Sequence, residues 1–482
     1  MRAKSLIIAA LLLSVSPCAA FAGTTQADAD KLKAVLQSYF GAGTDAVKIA
    51  PQGDGYKMSI DLSGFAKAMQ AKDIEAGAQS FDFSLTPEGG GKWKVHHDGP
   101  MGFSLKSKDQ IDITENIESM TMDGEFDEAL GSFTNLVANG KNISVKESVD
   151  DSKGMKIHVD AKFDSIDTKL TGAAAAAGGV DLKFNYNLGH GEMTQDFNKE
   201  GDPPLHLVIG IDGGSSDGTI TGTKTLEILQ LIKFLNAHVA EDSLGKDQAA
   251  FKLALTNLMP GFNNLAMRGG LGKTTVQSPL GIFGVDKVGV TFEANGAVKA
   301  GKFAESLSFE GLSVPANIVP AWASSLVTKN FNIGFAVTGY DLEAAAKAEI
   351  AAADFTKDPP TSKEMDDKIG ELLLPTGAVN VVLSNTMISN DTYKVTIEGA
   401  MDAGPHAKPS GKAHITAKGL DDIMKAMQSA PPQSGLQGGA AVVVVAKGMG
   451  KAESDGSTSW DVEATPDGKI TVNGIDVSKM AK

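Results

Sequence analysis

"MKIHVDAKF", residues 155–163, alternates without a fault. Met155, Ile157, Val159, Ala161 and Phe163 fall on one side, with Lys156, His158, Asp160 and Lys162 on the other. Successive side chains of an extended chain point to opposite faces, so the stretch reads as a strand with one apolar and one wet face. The period recurs at Met58/Ile60/Leu62, Phe81/Phe83/Leu85, Met101/Phe103/Leu105 and Leu182/Phe184/Tyr186/Leu188. It returns at Val288/Val290/Phe292, Phe331/Ile333/Phe335/Val337 and Tyr393/Val395/Ile397. One-sided strands of this kind belong to antiparallel sheet. Pieces such as "PEGGG" (87–91) and "PDG" (466–468) supply hairpin turns between them.

Helical periodicity interrupts the strands at 26–40, 224–240, 246–259, 341–353, 362–374 and 420–428, with Pro260-Gly261, Pro359-Pro360 and Pro431-Pro432 marking three of the breaks. The stretches 355–367 and 429–439 read as exposed connectors, and a further helix is expected over 316–327. The predicted fold is α+β, with long twisted antiparallel β-sheets and helices packed on one face. Residues 23–222 and 263–482 form two β-rich halves around a helical segment at 223–262. The ends echo each other: "YKMSIDLSGFAKAMQ" (56–70) and "KAHITAKGLDDIMKAMQ" (412–428) each give strand, glycine turn and helix. Each is followed by a hairpin, at 81–95 and 460–472, as a duplicated unit would be.

The N-terminus reads as a secretory leader. Arg2 and Lys4 precede an apolar run from Leu6 to Val15, and Ala20-Phe21-Ala22 offers a small-x-small cleavage site. The run is too short to span a bilayer, so cleavage near Ala22 is expected. The single cysteine, Cys18, lies inside the leader and follows Pro17, which disfavours lipidation. A net charge of −15 disfavours nucleic acid and anionic lipid surfaces.

Several stretches imitate active sites. "RGGLGKTTVQ" (268–277) ends in Gly-Lys-Thr like a phosphate loop, but no plain strand precedes it, and Pro279, Gly281 and Gly284 bar a helix behind it. It reads as a glycine hairpin, and no nucleotide or other cofactor is expected. "GSSDG" (214–218) puts Ser216 in a nucleophile-elbow pattern, yet strand-like sequence follows where an elbow needs a helix. A serine hydrolase using Ser216 is therefore a remote alternative. No metal is expected: His96 and His97 are adjacent and diverge in a strand. "MDGEFDE" (122–128) reads as the cap and acidic first turn of a helix through Ala129-Leu130. The helix at 224–240 is apolar almost all round, which makes Leu226, Leu229, Ile232, Phe234 and Leu235 candidates to face an apolar ligand. Met58, Met101, Met120, Met122 and Met155 would give an apolar site adaptable walls.

Three segments, "GYKMSIDLSGF" (55–65), 308–342 and "WDVEATPDGKITVNGIDV" (460–477), together resemble an alphaproteobacterial family of exported proteins, the domain-of-unknown-function family two-one-two-five. That family is distantly similar to β-rich envelope proteins of the AsmA and YdgA type. The resemblance implies a periplasmic place and a part in envelope or lipid homeostasis, and it carries over no catalytic residue. The expectation is a non-enzymatic periplasmic protein that shelters an apolar, lipid-like ligand. It would be membrane-proximal but not membrane-spanning, with lipid or another envelope protein as partner. The alternative is a structural or interaction module of the envelope.

Overall fold

The computed structural model describes residues 24–40, 47–61, 74–78, 81–107, 111–150, 154–238, 247–357, 359–405 and 408–478. The leader over 1–22, and Leu62 and Met69 with the helix expected beside them, lie outside the described residues. The fold is α+β, with 54% of residues in strands of antiparallel sheet and 22% in helices. The chain divides into two compact units: residues up to 265 together with 346–366, and residues 266–345 together with 367–482.

The first unit opens with helix α1 (Gln26–Phe40) and continues as a meander. Its strands are β1 (Val47–Gln52), β2 (Gly55–Ile60), β3 (Ile74–Ala78), β4 (Phe81–Gly89), β5 (Lys92–Ser107) and β6 (Ile111–Asp127). Then follow β7 (Ser132–Asp150), β8 (Met155–Ala174), β9 (Val180–Leu188), β10 (Gly191–Lys199), β11 (Leu205–Ile211) and β12 (Gly214–Thr223). The hydrogen-bonded order runs β1–β2–β4–β5–β6–β7–β8, all antiparallel. At β8 the ladder forks: β10 lies along Met155–Phe163 and β9 along Ile166–Ala174, with β11 and β12 outside them. Helices α2 (Thr225–Ala237) and α3 (Gln248–Leu258) follow.

Strands β5 to β8 are 16, 17, 19 and 20 residues long, several times an ordinary strand. A bulge line crossing them makes that length compatible with one apolar face. On β6, Met120, Met122 and Phe126 are even-numbered, whereas Ile113 and Ile117 are odd, and the register slips by one opposite Gly99 and Met101. On β7 the parity changes at Asn142, which holds φ at +53°. A bulge inserts one residue and resets which side the next side chain takes. A Cβ built on Gly140 would meet Ile117, Met120 and Ile166 together, so both parities share one face.

The core lies at the end of this sheet where α1 packs on β1. Ala29, Leu32 and Leu36 of α1 join Val47, Tyr56, Phe83, Leu85, Trp93, Phe126 and Phe133, all buried. Phe126 and Phe133 meet edge to face at 5.4 Å across the β6–β7 hairpin. That hairpin corrects the helix expected after 122–128. Asp127 ends β6, its Oδ1 accepts the Ala129 N–H at 2.9 Å, and the chain turns through Glu128–Gly131 into β7. The acidic residues alternate along a strand, and the local capping chemistry closes a turn.

The second unit is another antiparallel meander. Its strands are β13 (Asn264–Leu271, which begins in the first unit), β14 (Thr274–Ser278), β15 (Gly281–Val285), β16 (Lys287–Asn295), β17 (Gly301–Glu310) and β18 (Asn330–Tyr340). Helices α4 (Leu342–Ala352) and α5 (Lys363–Leu373) come next in the chain, with residues 346–366 belonging to the first unit. Strands β19 (Val379–Ser389), β20 (Lys394–Ala403) and β21 (Ser410–Lys418), helices α6 (Leu420–Gln428) and α7 (Leu436–Met449), and strands β22 (Lys451–Ala452), β23 (Thr458–Ala464), β24 (Ile470–Val472) and β25 (Ile475–Asp476) complete it. From β16 to β21 each strand pairs the next, and β21 then pairs β23, which pairs β24. The residues expected to be a connector at 429–439 instead hold a short 3-10 turn and the start of α7. Gly438 and Gly439 disguised that helix, and Ala440 to Ala446 carry it. The helix expected over 316–327 is confined to a 3-10 turn at Ala321–Leu326, because Pro315 and Pro320 interrupt the rest.

The echo of the two ends extends to topology. β1–β2–β4–β5 and β20–β21–β23–β24 have the same order, each with a long excursion between its second and third strands.

Candidate functional site

Away from the core, the long sheet of the first unit carries an apolar face six strands wide. Row by row across β5, β6, β7, β8, β10 and β11, the paired residues are Met101, Ile117, Ile143, Phe163, Gly191 and Ile211. The next row is Phe103, Glu115, Val145, Ala161, Met193 and Ile209, and the third is Leu105, Ile113, Glu147, Val159, Gln195 and Leu207. Ile111, Val149, Ile157, Phe197 and Leu205 end the series. Ile143, Ala161 and Gly191 are buried, Ile111 and Leu205 are exposed, and the other apolar residues are half-buried. The opposite face of the same strands is polar. One of its rows reads Lys106, Asp112, Ser148, His158, Asp196 and His206. The Asp196–His206 contact closes at 2.6 Å.

The apolar face curves inward. Glu115 on β6 and Tyr186 on β9 stand three strands and seven register positions apart, roughly 27 Å on a flat sheet. Yet burial first, and then the Glu115 carboxylate, push the Tyr186 phenol above its usual range. A charge acts that way only at short range, so the two side chains approach each other on the face they share. Burial alone raises Glu115, a carboxyl held among apolar neighbours. Glu115, Glu147 and Gln195 thus draw a sparse polar line through an otherwise hydrocarbon trough.

Where the apolar face runs back toward the core stands His97, 4% exposed. Its Nδ1 donates to the Asp82 carbonyl at 2.7 Å, which leaves Nε2 as a bare acceptor without a hydrogen-bond partner. His96, next along the strand, points the other way and meets Asp123 at 2.7 Å. Adjacent histidines diverge as the strand reading requires.

The helix residues singled out in the sequence separate into two groups. Leu229 is buried in the turn at Gly131, where Leu226 also packs. Phe234 stacks on His238 at 4.2 Å and on Phe251 of α3 at 5.7 Å, so it joins two helices. Ile232 is half-buried, and Leu226 and Leu235 keep 37% of their surface. The more extensive apolar surface is the sheet face: of the methionines singled out in the sequence, Met101, Met120 and Met122 belong to it, and Met193, not among them, lies there too.

Ser216 sits inside β12 opposite Tyr186, three residues beyond the turn at Asp212-Gly213. A strand continues from it to Thr223, so no helix N-terminus backs the serine. Each of the seven described histidines hydrogen-bonds an aspartate, backbone, or a serine other than Ser216. The Gly-Lys-Thr stretch makes the tight link from β13 to β14, with Lys273 exposed and the Thr274 hydroxyl donating to the Gly272 carbonyl. Among the described residues no three His, Cys, Asp or Glu side chains converge as metal ligands, and no helix is long and apolar enough to cross a membrane.

The second unit has its own apolar face, on which Leu307, Ile388 and Met401 are exposed. A shallow trough of about 170 Å³ there is lined by Val381, Leu383, Gly399, Met401, Gly411 and Val462. A Cβ on Gly399 or Gly411 would strike the carbonyl of Lys412 or Ala400, at 2.6 and 2.2 Å. These glycines let the strands approach and leave the floor bare.

No protein-family model and no curated protein matches this chain. A solved structure, the siderophore receptor PirA from Acinetobacter baumannii, aligns at 10% identity and a TM-score of 0.15. The alignment covers 76% of this chain and 62% of the receptor, less than two thirds of its length. A likeness so slight carries no argument.

Proposed function

We propose that this protein shelters an apolar, lipid-like ligand, without catalysing a reaction, in the concave trough of its first unit. The observation that carries the reading is the one-sided apolar face on β5–β8, β10 and β11, whose side chains remain partly exposed although the opposite face is mostly polar. Soluble proteins seldom present contiguous apolar patches of that extent unless something binds there. The curvature supports a ligand laid along the sheet, and the lone polar line at Glu115, Glu147 and Gln195 supports one with a single polar group. A periplasmic location with a cleaved leader, and kinship with exported envelope families, are part of the same proposal and rest on the leader pattern and the three resembling segments.

The test is uptake of a fluorescent fatty acid, with native mass spectrometry of the protein as purified. Met193→Asp, in the middle of the trough, should weaken uptake by about ten-fold or more, since a charge replaces apolar contact there. Its melting temperature should move by only a few degrees. Equal uptake by both proteins would exclude the trough. If neither takes up lipid, an envelope interaction module that uses the same face for a protein partner becomes the better reading.

A further inference from the structure

Two segments of the second unit form an uncharged apolar tip. The hairpin of β14 and β15 turns at Pro279-Leu280, and residues 274–285 contain no Asp, Glu, Lys, Arg or His. The loop after β17 is likewise uncharged from Gly311 to Thr328, in a chain where 21% of residues are charged. The segments are joined: Gly284 and Ser313 exchange backbone hydrogen bonds of 3.0 and 2.8 Å, and Asn317 Nδ2 donates to the Leu280 carbonyl at 3.2 Å. There Leu280 is 59% exposed, Ile282 61% and Ile318 39%. Comparable exposure recurs at Leu253 of α3, at Ile475 and at Val442, Val444 and Val445 of α7, but there, among the described residues, no second uncharged segment is joined to them by hydrogen bonds as at this tip.

The backbone at the tip is already provided for. The Leu280 N–H is held by Ser278 Oγ, the Ile318 N–H reaches the Pro315 carbonyl, and Ile282 lies in the ladder opposite Gln277. Pro279, Pro315 and Pro320 bring no N–H at all. Such a tip can leave water without orphaning these donors, the condition for entering hydrocarbon. A protein partner would ordinarily be met by a polar, charged rim around the apolar centre, and these segments offer no charged residue to make one.

We propose that this tip dips into the boundary of a lipid bilayer and attaches the protein to it reversibly. Leu280, Ile282 and Ile318 enter, and the half-buried Trp322 of the same loop comes to rest near headgroup depth, where tryptophan is favoured. Three aliphatic side chains make a weak attachment, suited to repeated docking. Because the body is acidic at −15, a zwitterionic surface suits it better than an anionic one. The proposal is independent of ligand shelter in the trough.

The experiment is flotation of the full protein with phosphatidylcholine vesicles on a density gradient, together with tryptophan quenching by brominated phosphatidylcholine. Trp93 and Trp460 are 4% and 8% exposed, so quenching should fall on Trp322 and vanish in Trp322→Phe. Leu280→Asp/Ile282→Asp should cut vesicle partitioning by about ten-fold or more, because carboxylates resist insertion. The same variant should keep the uptake of monomeric fluorescent fatty acid. Leu253→Asp, on α3 and equally exposed at 60%, should float like the wild type. Wild type that stays with the soluble fraction overturns the proposal. So does a tip variant that floats undiminished, or a Leu253→Asp protein that loses binding to the same degree.

Discussion

The two ends of the long sheet in the first unit share strands, alternation and hydrogen bonding, yet one is a core and the other a trough. At the core end, Trp93, Phe126, Phe133 and Leu136 are under 5% exposed in the cluster that α1 joins. At the far end, Phe103, Val145, Met193 and Phe197 point to the same side and remain partly exposed. The strands carry equally apolar side chains in both places. What differs is whether another element lies over them, and alternation alone cannot tell a covered face from an open one.

Truncation should separate the ends most strongly. Phe126→Ala removes a ring that is 1% exposed and should cost about 3–5 kcal/mol in urea unfolding. Phe197→Ala at the open end should cost no more than about 1 kcal/mol, since a half-exposed ring has less transfer energy to lose. Similar losses at both sites would mean that the trough is packed like the core.

Gly131 comes next. It turns the β6–β7 hairpin with φ at +59°, and a Cβ there would sit 2.7 Å from Leu226. Gly131→Ala should destabilise by about 1–3 kcal/mol, combining backbone strain with a crowded helix contact. An unchanged unfolding midpoint would remove the argument that α2 is seated on that turn.

Glu115 gives the smallest effect and the most specific one. Its folded-state pKa is raised, so between the ordinary glutamate value and that raised value the native state binds more protons than the unfolded state. Stability therefore falls as pH rises through that window. Glu115→Gln should raise the melting temperature at neutral pH, and the gain should disappear as pH drops below about 4.3, where the unfolded carboxyl is also protonated. A gain independent of pH would point to packing instead.

Much of the fold was legible in the sequence because period-two alternation is a direct imprint of the pleat. Hidden from that reading was the length of the strands. Ile113 and Ile117 keep one phase and Met120, Met122 and Phe126 the other, so β6 reads as two short pieces with a break at Glu118-Ser119. The bulge that resets the phase is visible only once partners are known. Helix α7 stayed hidden for a different reason: its glycines argue for a loop, and its packing, with Trp460 Nε1 donating to the Ala446 carbonyl at 2.7 Å, comes from residues far along the chain. The trough could not be read at all, because its rows are assembled from six strands and become a surface only through register. Ser216 and the Gly-Lys-Thr stretch show the opposite limit, since both are local patterns that the neighbouring backbone denies.

The meander itself has a consequence for how the molecule comes into being. Most strands bond to the one made just before them, so the great sheet can be laid down stripe by stripe, each new hairpin templated by a finished edge. Short loops are closed at most steps, which keeps the search brief despite the chain's size. A polypeptide delivered end-first can thus harden from its leading edge while its tail is still arriving.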